Sequence, residues 1–211
     1  MSENPPVTVW GRRNSINVIK VMWCINELGV PHERIDVGGD YGLNNAPEYA
    51  ELNPNVTVPT IRDGEMILWE SNVTVRYLSE KYGKGSLYPS DPARRWEAEK
   101  WMDWMQTTLN PHLSLILRQL VRTPPGERDM AAVENARQSL LNIWPILDSQ
   151  LASRQFVAGD SFTMGDIPVG AAAYRWYAFD IERPSFPNLE AWHNRLRSRE
   201  AYQNHVEMPV T

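Results

Sequence analysis

Two short polar stretches stand where a helix should begin, the place where backbone N–H groups lack intrahelical partners. The first is Asn14-Ser15-Ile16-Asn17, between a strand-like Val7 to Trp10 and apolar residues at helical spacing: Val18, Val21, Met22, Ile25 and Leu28. The second is Glu70-Ser71, at the head of a helix expected to run to about Tyr82. Each could be a cap, since Ser and Asn at that position stabilise a helix by about 1 kcal/mol. Each could equally receive an anion, because the unpaired N–H groups and the helix dipole favour negative charge. The hydroxyl and the free amides are separate atoms, so the two roles are compatible.

The surrounding elements decide whether these starts can meet. Gly29 and Pro31 stop the first helix. Glu33 to Val37 reads as a second strand, GGDYGLNNAP as a turn-rich loop, and Pro47 to Leu52 as one or two helical turns. Thr60 to Arg62 and Met66 to Trp69 flank Asp63-Gly64, a strong hairpin signal. The order is βαβ followed by ββα, a four-stranded mixed sheet on the thioredoxin plan. After a linker the strand signal disappears. A long helix is expected from Arg94 to Val121, kinked or broken at Pro111, and another from Asp129 to Ser153. Thr163-Met164-Gly165-Asp166 has capping-box spacing, with Pro168 set to delete one helical bond, and a last helix is expected near Asn188 to Arg197. Three regions result: an α/β domain over 1–83, a linker over 84–93, and an all-α domain over 94–211.

Composition narrows the function classes. The net charge of -5 comes without a Lys/Arg-dense run, which disfavours nucleic acid. The apolar runs are too short to span a bilayer, so no membrane role is expected. The opening MSENPP lacks the basic-then-apolar pattern of a leader, and a cytoplasmic location is expected. A single cysteine, Cys24, cannot form an intrachain disulfide, and it lies too far along its helix to replace Ser15. His32, His112, His193 and His205 are scattered, so no metal is expected.

Four pieces in fixed order carry a family resemblance: the N-S-I-N turn, Val58-Pro59, Glu70-Ser71, and an all-helical second domain with a T-x-x-D cap. Together they resemble the cytosolic glutathione transferases over nearly the whole chain, most specifically from Glu51 to Gly83. The resemblance implies reduced glutathione as co-substrate, a small electrophile as the second substrate, and a homodimer. It implies a cis Val58-Pro59 bond, with the Val58 N–H and C=O pairing with the peptide's cysteinyl backbone as an added strand. Glu70 would meet the γ-glutamyl ammonium and Ser71 its carboxylate. Ser15 falls where theta-like classes place a catalytic serine, and Asn17 where some bacterial relatives place an asparagine that also contacts sulfur. Either could be the principal thiolate donor. Thr57 stands where many relatives carry a basic residue, which predicts a weaker hold on glutathione unless Arg12 or Arg13 compensates. Trp104, Thr107, Thr108 and Pro111 are electrophile-pocket positions by family place, with Trp176 and Tyr177 as looser candidates. The same thiolate could instead serve peroxide or disulfide reduction, and the same fold could serve as a binding protein without turnover.

Overall fold

The structure, a computed structural model, describes residues 5–83 and 85–211. Residues 1–4 of the opening stretch and Lys84 of the expected linker lie outside the described residues. The chain divides into two compact units, Met1–Tyr88 and Pro89–Thr211.

In the first unit, β1 (Val7–Trp10), α1 (Ile16–Glu27), β2 (His32–Ile35), α2 (Pro47–Leu52), β3 (Thr60–Asp63), β4 (Met66–Trp69) and α3 (Ser71–Tyr82) follow in order. The sheet runs β2-β1-β3-β4, with β1 parallel to β2 and the remaining pairs antiparallel. This is the expected thioredoxin-like sheet. Alternation along β1 buries Val7 and Val9 and leaves Thr8 and Trp10 half-buried. α1 packs against α3, and its buried face includes Trp23, Cys24 and Ile25. At the far end of α3, the buried Asp63 carboxylate accepts from Tyr77 (2.9 Å), Lys81 (2.8 Å) and Tyr82 (2.8 Å). That knot ties the β3–β4 hairpin to the last turns of α3. Burial alone would push this carboxyl up, but bonds from Lys81, Tyr82 and Tyr77 hold it below the usual range.

In the second unit the single long helix expected from Arg94 to Val121 is divided. It consists of α4 (Pro92–Trp104), a wide π-type turn at Met105–Leu109, and α5 (Asn110–Leu117), followed by a second wide turn at Arg118–Arg122. Pro111 has no N–H, and its ring would crowd the carbonyl four residues back; the widened turn just before it relieves both. α6 (Met130–Leu151) begins on an Asp129 cap, as α4 begins on Asp91. α7 (Asp166–Ala178), α8 (Pro187–Arg197) and a short α9 (Glu200–His205) complete the unit. Pro168 costs α7 nothing: it lies in the first turn, where an N–H would have no helical partner in any case. The start of α7 is held by its own carboxylate. Asp166 accepts from Val157 N (3.0 Å), Thr163 N (2.9 Å), Thr163 Oγ1 (3.2 Å) and Trp192 Nε1 (2.9 Å).

Candidate functional site

Three segments of the first unit carry the candidate site residues. The β1–α1 turn hangs on the end of β2, through Gly11 N on Ile35 O (2.8 Å) and Arg12 N on Val37 O (2.9 Å). Within it the Arg12 guanidinium donates to Asn14 Oδ1 at 2.7 Å. Ser15 takes the N-cap place with extended backbone and accepts from Ile19 N through its carbonyl (2.8 Å). Its buried hydroxyl makes no cap bond, and α1 has no acidic residue in its first turn. The N-terminal amides of α1 are therefore satisfied neither by Ser15 nor by a neighbouring acid.

The second segment approaches the first closely. A Cβ on Gly11 would lie 2.5 Å from Val18 Cγ2 and 3.3 Å from Val58 Cβ. Only a glycine lets the turn pass between the first turn of α1 and the proline loop. Val58-Pro59 is cis, as the resemblance implied. Among the described residues neither the N–H nor the C=O of Val58 takes a backbone partner.

A buried polar cluster braces this loop from behind. Tyr49 Oη donates to Thr57 O (2.6 Å) and lies 2.8 Å from Thr60 Oγ1. Asn53 Nδ2 bonds Thr57 O (2.9 Å) and Thr60 Oγ1 (3.1 Å), and Asn53 Oδ1 accepts from Asn55 N (3.0 Å). Burial, set against the bonds to Thr60 and Asn53, keeps the Tyr49 phenol above its ordinary range and so a neutral donor. Thr57 is exposed, with its carbonyl engaged from inside. Tyr49, Asn53 and Thr60 are positioning residues that sequence reading missed. The NPN at Asn53-Pro54-Asn55 was their one visible signal, as an Asx-type turn.

The third segment is the start of α3. Glu70 is exposed and holds φ 70°, ψ 103°, a left-handed conformation rare for a residue with a Cβ. Its carbonyl is fixed by Thr74, through N (2.9 Å) and Oγ1 (3.1 Å). Ser71 does not cap the helix with its side chain, contrary to the capping expectation: it is the first helical residue, and its hydroxyl donates to Asn17 Oδ1 at 3.2 Å. That bond joins the first and third segments across 54 positions of sequence. It occupies the oxygen end of the Asn17 amide and leaves Nδ2 as the donor end. α3, like α1, has no acidic residue in its first turn.

The electrophile candidates Trp104, Thr107, Thr108 and Pro111 gather at the widened turn of the second unit. They are half-buried or exposed there, while Met105 and Leu109 between them are buried. Of the looser candidates, Trp176 is wholly buried beside Trp144 (6.0 Å) in the unit's own core and cannot line a pocket. Tyr177 stacks on His193 at 4.7 Å within the same unit. Among the described residues no three His, Cys, Asp or Glu side chains are placed to share a metal ion, and no helix is long and apolar enough to cross a membrane.

A thioredoxin-like domain that leaves two helix starts and a cis-proline edge open, with its one cysteine sealed in the core, defines a class that acts on a bound ligand rather than through a redox pair of its own. Burial pushes the Cys24 thiol up to about 12. The comparisons name the class. Residues 5–80 match the glutathione S-transferase N-terminal domain and residues 102–200 the C-terminal domain. Glutathione S-transferase GstB of Escherichia coli is 42% identical over 207 residues, covering 97% of this chain and all of that protein. Glutathione S-transferase 3 of Zea mays is 28% identical, over 95% of this chain and 93% of its own. The crystal structure of the theta class glutathione S-transferase from Xanthomonas axonopodis pv. citri with glutathione bound superimposes with a TM-score of 0.94 at 45% identity, over 98% of this chain and all of that one. The chain belongs to the glutathione S-transferase family and is a glutathione transferase.

Proposed function

We propose that this enzyme conjugates reduced glutathione to a small electrophile through a thiolate stabilised by Ser15 and Asn17. One observation carries the reading: Ser15 stands at an N-cap yet its hydroxyl caps nothing. A free thiol titrates near 8.5, and lowering it by about two units needs roughly 2.7 kcal/mol of preference for the thiolate. A hydroxyl bond to a charged acceptor contributes about 1.5–3 kcal/mol and a helix start about 0.3–2 kcal/mol, so the two together reach that figure. Asn17 Nδ2 adds a second donor, its oxygen being taken by Ser71. The sulfur lone pair then forms the S–C bond while the leaving group departs with its bonding electrons; where the electrophile is an activated alkene, the carbanion takes up a proton. Positioning and thiolate stabilisation supply the rate.

Glutathione lies as an added strand on the Val58 N–H and C=O, with its γ-glutamyl carboxylate at the start of α3 near Ser71 and its ammonium facing Glu70. Thr57 offers no cation to the peptide's other carboxylate. Trp104, Thr107, Thr108 and Pro111 contact the electrophile. The enzyme works in the cytoplasm as a homodimer, the dimer being supported by the apolar side chains exposed on the edge strand, Ile67 and Trp69 on one face and Met66 on the other, with Val73 exposed at the start of α3. Retention on immobilised glutathione and turnover of an activated aryl halide test the proposal. Ser15→Ala is expected to bind comparably but lose about 100-fold in kcat/KM, the usual order for removing one donor to a developing charge. No retention at millimolar glutathione would defeat the reading, and full turnover by Ser15→Ala would remove Ser15 from it.

A further inference from the structure

One feature between the two helix starts lies outside that mechanism. Lys20 is buried (2% exposed), and its Nζ donates to Asn72 Oδ1 at 3.0 Å. Asn17, Lys20 and Cys24 follow at i, i+3 and i+7, one face of α1. They meet, in order, Ser71, Asn72, and the Val75–Ser79 stretch of α3, where Cys24 Sγ lies 3.8 Å from Val75 O and 3.6 Å from Ser79 Oγ. The seam is thus a ladder. Its first rung is the Ser71–Asn17 bond at the site, and its second is Lys20–Asn72 directly behind. An ammonium is costly to bury, and the next rung packs α1 on α3 without one, closed by a neutral thiol against a backbone carbonyl and a hydroxyl. Farther along the same face of α1 stand Cys24, kept neutral by burial, and Glu27 one turn beyond it, which accepts from Trp23 Nε1 at 2.9 Å.

We propose that Lys20 is a positioning residue for the glutathione thiolate: held on Asn72, it sets the start of α3 against the start of α1 and adds a buried positive charge behind two helix ends that both receive anions. The proposal deepens the thiolate reading above and rests on it. It acts on two observables. Losing the rung lets Ser71 and Asn17 drift apart, which raises the KM for glutathione. Losing the charge makes the thiolate less favourable, which moves the acidic limb of the pH profile of kcat/KM upward.

The test measures kcat/KM against pH, with glutathione and an activated aryl halide, in the full-length enzyme. Lys20→Met keeps the length and apolarity of the stem while removing the donors and the charge. Its limb is expected to move up by about one pH unit, with KM for glutathione raised several-fold. Asn72→Asp keeps the contact but neutralises the charge, and is expected to move the limb in the same direction with a smaller change in KM. Lys20→Arg is expected to recover part of the limb shift. If Lys20→Met does not fold, Asn72→Asp decides. A depressed wild-type limb that Asn72→Asp and any folded Lys20→Met both preserve would overturn this proposal alone. A wild-type limb at the free thiol's value would overturn the thiolate reading, and this proposal with it.

Discussion

The helix starts of the two units are built in opposite ways. In the second unit, Asp91 caps α4 on Arg94 N, Asp129 caps α6 on Ala132 N, and the buried Asp166 gathers four donors at the head of α7. In the first unit, α1 and α3 begin on Ser15 and Glu70, neither of which makes a side-chain cap bond, and neither helix has an acid in its first turn. On the function proposed above, the difference lies in where the neutralising anion comes from. The second unit carries its own carboxylates at these three starts. The first has two starts without one, within one packed pair of helices joined by Ser71 and Asn17, and the proposal fills them with anions that come with the substrate.

The contrast predicts unequal responses to the same kind of truncation. The largest is at Asp166. Asp166→Ala strands four donors in the core, and it should cost about 4 kcal/mol or more in urea unfolding of the second unit, with turnover lost only as far as folding is. A variant within about 1 kcal/mol of wild type would show that this start, too, is dispensable to the fold.

Next comes a pH effect within the same unit. Burial pushes the Asp166 carboxyl up to about 6, whereas an unfolded Asp sits near 3.8; its contribution to stability is present at low pH and lost as pH rises through 6. Burial, with Arg197 nearby, pushes His193 down to about 4 from 6.5; its contribution is present above 6.5 and lost as pH falls through 4. The two oppose each other between about pH 4 and 6.5. His193→Gln should therefore leave the effect of Asp166 unopposed: relative to wild type, the variant gains about 3 kcal/mol on going from pH 6.5 to 4. Parallel stability curves for the two proteins would contradict the opposition. In the first unit Asp63, held low by Lys81 and the two tyrosines, weakens the fold on acidification alone.

A smaller effect, about 2 kcal/mol, is expected from Gly11→Ala, since the new methyl meets Val18 at 2.5 Å. Because Val58 stands on its other side, KM for glutathione should rise as well. Unchanged KM with reduced stability would separate the turn from the proline loop. The smallest stability effect belongs to Ser15→Ala, under about 0.5 kcal/mol, because its hydroxyl caps nothing. A loss above 1 kcal/mol would mean that α1 is capped after all.

Much of this architecture was readable as local pattern. The period of α1, Gly29 at its end with φ 62°, the Asp63-Gly64 hairpin and the start of α3 each depend on neighbours a few residues away. The outline of the candidate site rests instead on long spacing, since Ser15, Val58-Pro59 and Glu70-Ser71 follow a family pattern. What could not be read were contacts between distant residues. Ser71 looked like a cap because nothing local says that its hydroxyl reaches Asn17. Lys20 reads as an ordinary surface lysine until α3 covers it. Trp176 is aromatic at a plausible position, but its burial is set by Trp144 on another helix. Pro111 announced a kink or break without saying that a widened turn, not an end, would absorb it.

On the proposed mechanism the open start of α1 holds a thiolate. Ultraviolet titration of the thiolate in enzyme saturated with glutathione tests it most directly, comparing wild type with Ser15→Ala. The bound thiol is expected to titrate about two units below the free value of 8.5 in wild type and to return most of the way in the variant. A bound thiol that titrates at the same pH with and without the Ser15 hydroxyl would contradict it.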